Sequence, residues 1–154
     1  MEIFVDTGVL LRLVIRTDPA NQETRQAVRF LKVRGDKLVA LTQNAAEFWN
    51  VCTRPTSARG YGLSIQETEK KLRTLQRLIE FRADSLAGFQ EWKRLVVAHQ
   101  VSGVEVHDTR LVAAMHVQGI TQIVTYNKAD FKRFQNITAS LPNEILNQPP
   151  VPNS

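Results

Sequence analysis

Short apolar runs alternate with longer amphipathic segments along this chain, and that alternation is what most limits the folds it can adopt. The clearest runs are residues 2–6, 37–42 and 122–125, and the first two precede stretches with helical spacing of apolar side chains. Strands that alternate with helices indicate a mostly parallel sheet with helices on both faces. We therefore predict an α/β fold with three α/β/α layers around a central, mostly parallel sheet.

The spacing of apolar residues predicts six helices and one further strand. The helices cover about residues 8–16, 20–34, 42–53, 65–78, 86–100 and 108–118, and the extra short strand covers 78–83. Thr42 is the predicted N-cap of the third helix, and residues 54–64 are predicted to be a loop. We place one domain at residues 1–140 and a Pro-rich tail at 141–154, whose end is expected to be frayed or ordered only by a partner.

Composition and charge narrow the class of protein. A chain of 154 residues with 43% apolar residues suits one domain with a sizeable core. Its 20 Lys and Arg against 15 Asp and Glu favour a polyanionic partner without establishing one. The single Cys52 fits a reducing compartment, and Asp6 and Arg12 interrupt the first apolar stretch. We expect a soluble, cytoplasmic protein without a signal peptide or a membrane span.

Acidic and polar residues stand where the predicted strands end. Asp6 closes the first strand, Glu47 lies in the first turns after the second, and Asp108 is predicted to begin a helix. The polar residues after the later strand are Thr125, Asn127 and Asp130. Parallel sheets bind ligands beyond the carboxyl ends of their strands. We therefore expect these side chains to converge on one edge of the sheet.

Carboxylates that meet at one point repel each other unless a cation lies between them. Oxygen ligands without a set of Cys or His side chains select Mg²⁺ or Mn²⁺ over zinc. Such an ion activates water and stabilises the charge of a phosphodiester under in-line attack. The predicted chemistry is phosphodiester hydrolysis with Mg²⁺ or Mn²⁺ as cofactor, and the predicted metal ligands are Asp6, Glu47, Asp108 and Asp130.

The triplet Asp6-Thr7-Gly8 also matches the signature of aspartic proteases. Those enzymes need two aspartates that share a proton and are built on β-rich halves or subunits. Here the triplet is followed by a helical pattern and several more helices, so the architecture argues against a protease.

Four segments in order resemble the PIN-domain nucleases, in particular the VapC-like ribonuclease toxins of bacterial type II toxin–antitoxin pairs. They are FVDTGVLL, TQNAAEFWNVCTRP, HDTRLVAAM and IVTYNKADF, and they are spread over residues 3–131. The resemblance implies a PIN-like α/β/α sandwich and Mg²⁺- or Mn²⁺-dependent endoribonuclease activity. It also implies a homodimer and inhibition by a cognate antitoxin protein.

The resemblance assigns catalytic positions residue by residue. Asp6, Glu47 and Asp108 match the family's three principal acidic positions, and Thr125 matches the threonine that helps to position the site. Many relatives place a fourth acid two residues after that threonine, where this chain has Asn127. Either Asn127 or Asp130 completes the predicted site, and the number of metal ions, one or two, stays open.

Basic residues around the predicted site are candidate RNA contacts, although solvated surface charge is the alternative interpretation. The candidates are Arg54, Arg59, Arg110 and Lys128, with Tyr61 as a base-stacking platform and Lys132 and Arg133 nearby. An alternative function is a PIN-like module that binds RNA or protein without cleaving it, which the departure at Asn127 leaves open.

Overall fold

A five-stranded parallel sheet forms the centre of the protein in a computed structural model that describes residues 1–149. Its strands are β1 (Glu2–Val5), β2 (Lys37–Leu41), β3 (Glu80–Arg82), β4 (Gln122–Val124) and β5 (Thr138–Ser140). Their order across the sheet is β3-β2-β1-β4-β5, and every pairing is parallel. The predicted α/β/α architecture is confirmed.

Seven α-helices connect and flank the strands within residues 1–149. They are α1 (Thr7–Val14), α2 (Asn21–Val33), α3 (Thr42–Thr53), α4 (Ile65–Leu78), α5 (Leu86–Ala98), α6 (Glu105–Gln118) and α7 (Pro142–Leu146). Short 3-10 helices cover Thr56–Ala58 and Lys128–Phe131. None of the helices in this part of the chain is long and apolar enough to cross a bilayer.

The sheet is covered on both faces, which explains why its strands read as continuous apolar runs. Ile3 and Val5 of β1 point into one core with α1 to α4, whereas Phe4 between them points into a second core with α5 and α6. Residues of β2 alternate in the same way, with Leu38 on the first side and Val39 on the second. Helices on both faces leave the carboxyl edge of the sheet as the place for a site.

The N-terminal boundaries of α6 and α3 differ from the sequence prediction. Helix α6 begins at Glu105, so Asp108 is its fourth residue and does not begin the helix. Helix α3 includes Thr42, and its N-cap is Leu41, whose backbone N–H donates to Asn44 Oδ1 at 2.9 Å. In both helices the first turn contains mainly polar residues. The spacing of apolar residues therefore did not indicate where the helix begins.

The segment from Phe134 onward contains a strand and a helix that the apolar pattern did not predict. Strand β5 has only three residues, and its formation depends on pairing with β4. Helix α7 packs against α2 and buries Pro142 and Ile145. Residues 141–149 are therefore attached to the domain, while the expected fraying of the end falls on residues 150–154, outside the described residues.

Candidate active site

Asp6 lies where β1 passes into α1, and both of its carboxylate oxygens are fixed by hydrogen bonds. It is the N-cap of α1, and its Oδ1 accepts from the backbone N–H of Thr7 at 2.7 Å. Its Oδ2 accepts from the hydroxyl of Thr125, at the end of β4, at 2.8 Å. Because β1 and β4 are neighbours, the parallel register brings these two residues together.

Glu47 approaches the same edge from the second turn of α3. Its Oε2 accepts from the hydroxyl of Thr7 at 2.6 Å, and its Oε1 accepts from Gln43 Nε2 at 2.8 Å. The fully buried Asn44 donates from Nδ2 to the Thr7 hydroxyl at 3.0 Å. Thr7 therefore contacts both acidic residues: its backbone N–H donates to Asp6, and its hydroxyl donates to Glu47.

Asp108 and Asp130 lie within electrostatic reach of the other acidic residues at this edge. Burial raises the pKa of Asp108 to about 6, and the charges of Asp6, Asp130 and Glu47 add to the rise. Burial also raises the pKa of Asp6, although hydrogen bonds from Thr125 and Thr7 oppose that rise. The structure thus brings together the four carboxylates that the strand ends predicted, close enough to repel one another.

Thr125 links the first carboxylate to the residues after β4. Its buried hydroxyl donates to Asp6 and accepts from the backbone N–H of Asn127 at 3.0 Å. The side chain of Asn127 is exposed, as is that of Asp130 in the following 3-10 helix. Both candidates for the fourth position therefore stand at the open side of the site.

The oxygen-only donor set fits a hard divalent cation, because a cation would relieve the repulsion among these carboxylates. Among residues 1–149, however, no three His, Cys, Asp or Glu side chains are close enough together to hold a metal ion. The backbone brings the four acids to one edge, but their side chains do not form a closed ligand set in this arrangement.

The predicted RNA-contacting residues have several different environments. Arg110 pairs with Asp84 and Lys128 with Glu144, each at 2.7 Å, and Arg54 Nη2 donates to the backbone carbonyl of Arg59 at 3.2 Å. Arg59 is exposed, with a left-handed backbone at φ 62°. RNA contact by these four cations stays a prediction.

Tyr61 is partly buried rather than presented at the acidic edge. Its ring packs against the core on the α1 to α4 side, and its hydroxyl lies 3.5 Å from Asp18 Oδ2. A stacking role for Tyr61 therefore gains no support from its surroundings.

Gln43 and Asn44 are the residues of the site that the sequence reasoning missed. A signal was present, because Gln43 and Glu47 are four residues apart, on one face of a helix. Asn44 is the third residue of α3, the position from which a side chain accepts from the N-cap backbone N–H. What the sequence did not reveal is that the Asn44 amide also reaches Thr7 of α1, 37 residues away in the chain.

Thr125→Val should weaken metal binding by about 10- to 100-fold, because it removes a hydrogen bond that orients a ligand and stabilises its charged form. The Asp6 pKa should rise further. Isothermal titration with Mn²⁺ would measure the affinity, and Thr125→Ser, which keeps the hydroxyl, should retain most of it. Equal affinities for the Val and Ser variants would contradict this role of the hydroxyl.

The fold is shared with solved toxin structures, although no curated protein matches the sequence. VapBC2 from Rickettsia felis, bound to a promoter DNA fragment, is 14% identical with a TM-score of 0.71, covering 92% of this chain and 98% of that chain. VapBC-1 from nontypeable Haemophilus influenzae is 11% identical with a TM-score of 0.67, covering 93% and 99%. Mycobacterium tuberculosis VapC20, a sarcin-ricin loop cleaving toxin, is 17% identical with a TM-score of 0.57, covering 79% and 86%.

At these identities the likeness establishes a common fold. A sequence-family model supplies the stronger assignment, because the PIN domain model matches residues 3–137. That range contains β2, β3 and β4, all of β1 except its first residue, and all four acidic positions of the site. The chain is a member of the PIN-domain family.

Proposed function

We propose that this protein is a metal-dependent endoribonuclease that hydrolyses RNA phosphodiester bonds. The observation that carries the proposal is the convergence of Asp6, Glu47 and Asp108, with Asp130, on the carboxyl edge of a PIN-domain sheet. Burial and, after it, the charges of Asp6, Asp130 and Glu47 raise the pKa of Asp108 to about 6, and a cation bound at this edge would oppose that rise.

The four carboxylates would hold Mg²⁺ or Mn²⁺. When bound, the cation supplies a water of lowered pKa and a counter-charge for the attacked phosphodiester. The chain's own contribution is orientation. Thr125 fixes one oxygen of Asp6, and Thr7 fixes one oxygen of Glu47, so each acid keeps a defined position while the exposed Asp130 side is open to substrate.

We further propose that the nuclease is the toxin of a toxin–antitoxin pair, a homodimer that acts in the cytoplasm. The similar structures include VapBC toxin–antitoxin complexes and a sarcin-ricin loop cleaving toxin, which supports this role. A groove of about 590 Å³ between α1, α2 and α4 would accept the antitoxin. Its lining combines Leu13, Val14, Leu63 and Leu78 with four cations and one carboxylate, namely Arg16, Arg25, Lys70, Lys71 and Glu67. An amphipathic segment with acidic residues fits this lining.

Arg25→Glu combined with Lys70→Glu should weaken antitoxin binding by about tenfold or more and slow association, because two attractive charges become repulsive. The genomic neighbour's product, co-expressed and then titrated by biolayer interferometry, would provide the measurement. The control is Lys93→Glu, which reverses one charge on α5 across the sheet and should bind normally. Equal losses from the control and the double variant would argue that net charge, not this groove, sets the affinity.

The experiment that tests the enzymatic proposal is incubation of the purified protein with a panel of structured RNAs in Mg²⁺, Mn²⁺ or EDTA. We expect cleavage with either metal and none with EDTA. RNA binding that persists without cleavage in either metal would favour the non-cleaving PIN-like module instead.

A further inference from the structure

An aromatic pocket lies between the β3–α5 connection, α5 and α6. It has a volume of about 370 Å³ and is lined by Asp84, Ser85, Phe89, Trp92 and Arg110. Asp84 and Ser85 follow β3 after one intervening residue, and Arg82 of β3 is in register with Leu41 at the end of β2. Because the strands are parallel, this connection leaves the sheet at the carboxyl edge, where the acidic site stands.

The two aromatic rings of the pocket differ in how firmly they are held. Trp92 is partly buried, and its indole Nε1 donates to the backbone carbonyl of Val106 at 2.9 Å, in the turn of α6 that also carries Asp108. Phe89 stacks on Trp92 with ring centroids 5.9 Å apart and an interplanar angle of 29°. Phe89 is nevertheless 53% exposed. A fixed indole thus supports a phenyl ring with a large open surface beside the acidic turn.

Arg110 supplies a positive charge at the rim of the pocket. Its Nε donates to Asp84 Oδ2 at 2.7 Å, and its side chain is 45% exposed. The other oxygen of Asp84 accepts from the Ser85 backbone N–H at 2.9 Å, so the carboxylate that positions the guanidinium is itself fixed. A Cβ at Gly88 would come within 2.6 Å of that oxygen, so glycine keeps this arrangement possible. Arg110 makes no second polar contact within residues 1–149, which leaves guanidinium N–H groups for a phosphate.

We infer that this pocket binds one nucleotide of single-stranded RNA beside the scissile bond, with its base stacked on Phe89 and its phosphate held by Arg110. The inference rests on the proposed ribonuclease function. Any RNA base can stack on the exposed phenyl ring of Phe89, because every base has an aromatic face. A protein partner that covered the pocket would instead remove the Arg110–Asp84 ion pair from water, and this desolvation is unfavourable. An unstructured segment of RNA is therefore the occupant that matches both the aromatic and the charged part of the pocket.

The test is RNA binding without turnover. A fluorescein-labelled single-stranded hexanucleotide is titrated in EDTA and followed by anisotropy. Phe89→Ala should weaken binding by about tenfold, and Phe89→Trp should restore it. Arg110→Ala should weaken binding and lower the slope of log affinity against log salt by about 1. Val97→Ala, which removes another exposed apolar side chain of α5, is the control and should bind as the wild type does.

A second readout locates the nucleotide on the protein. In a Trp49→Phe background the only indole is Trp92, and we expect the RNA to quench its fluorescence, with less quenching after Phe89→Ala. Unchanged affinity in either Phe89→Ala or Arg110→Ala would overturn the inference. So would a change from dimer to monomer in Phe89→Ala, measured by light scattering, because the patch would then be an interface between two copies.

These outcomes separate the pocket from the enzymatic proposal. If the wild type cleaves RNA with Mg²⁺ while Phe89→Ala binds the hexanucleotide normally, the inference fails and the ribonuclease proposal stands. If no metal supports cleavage but Phe89→Ala and Arg110→Ala both lose binding, the ribonuclease proposal fails and the pocket stands as a nucleotide site.

Discussion

Asp6→Asn and Asp108→Asn should each lower metal-dependent RNA cleavage by about 10³-fold or more. A bound cation contributes several kcal/mol of transition-state stabilisation, and each 1.36 kcal/mol is a factor of about ten in rate. Both carboxylates stand in the mutually repelling cluster at the carboxyl edge, so removal of either charge should cost most of the affinity for the cation. Initial rates on one structured RNA, at saturating Mg²⁺ or Mn²⁺, would provide the comparison.

The matched control for this loss is Glu69→Gln, which also neutralises one carboxylate but lies in an exposed surface pair with Arg73 on α4. It should cleave at the wild-type rate. If Asp6→Asn and Asp108→Asn retain cleavage within about tenfold of the wild type, the acidic edge is not the active site and the proposed mechanism is wrong.

Asp108→Asn should also make the metal-free protein more stable at pH 7.5. Burial, together with the charges of Asp6 and Asp130, raises the folded-state pKa of Asp108 from 3.8 to about 6. The folded protein therefore binds more protons than the unfolded chain between these values, so stability falls as pH rises from about 4 through about 6. Above pH 6 the full penalty is present, and the Asn variant lacks it.

A rise in pKa of this size corresponds to about 3 kcal/mol without screening, but Asp108 is partly open to solvent, so we expect about 1 kcal/mol. In a chain of this length that gives an increase in Tm of roughly 2–4 °C. Thermal unfolding in EDTA at pH 7.5 and pH 4 would measure it, with the difference between the two proteins small at pH 4. A less stable Asn variant at pH 7.5 would mean that Asp108 makes favourable contacts that outweigh the repulsion.

Added Mg²⁺ should reverse the order of the two proteins. A ligand that binds only the folded state stabilises it, and the wild type retains the ligand set that Asp108→Asn lacks. We therefore expect Mg²⁺ to raise the Tm of the wild type more than that of the variant. The Tm comparisons without and with Mg²⁺ test one property of the site. The negative charge of Asp108 should destabilise the metal-free protein and should also bind the cation.

The sequence was most informative where structure is local. Asp6 and Glu47 were placed correctly because the end of a buried strand and the start of the next helix are visible as a change of period. Strand β5 was not visible, because its three residues carry no apolar period and form a strand only through hydrogen bonds to β4. Helix α7 was missed for a related reason, since its stability comes from burying Ile145 against α2.

The sequence by itself determined a layered α/β chain with acids at the strand ends, because the apolar period and the position of each turn are properties of neighbouring residues. Only the tertiary structure decided which distant groups meet. It placed the Thr125 hydroxyl on Asp6, Asn44 behind Thr7, and Arg110 on Asp84 beside the two stacked rings. Such contacts depend on strand order and helix packing across the whole chain, which no local pattern of residues encodes.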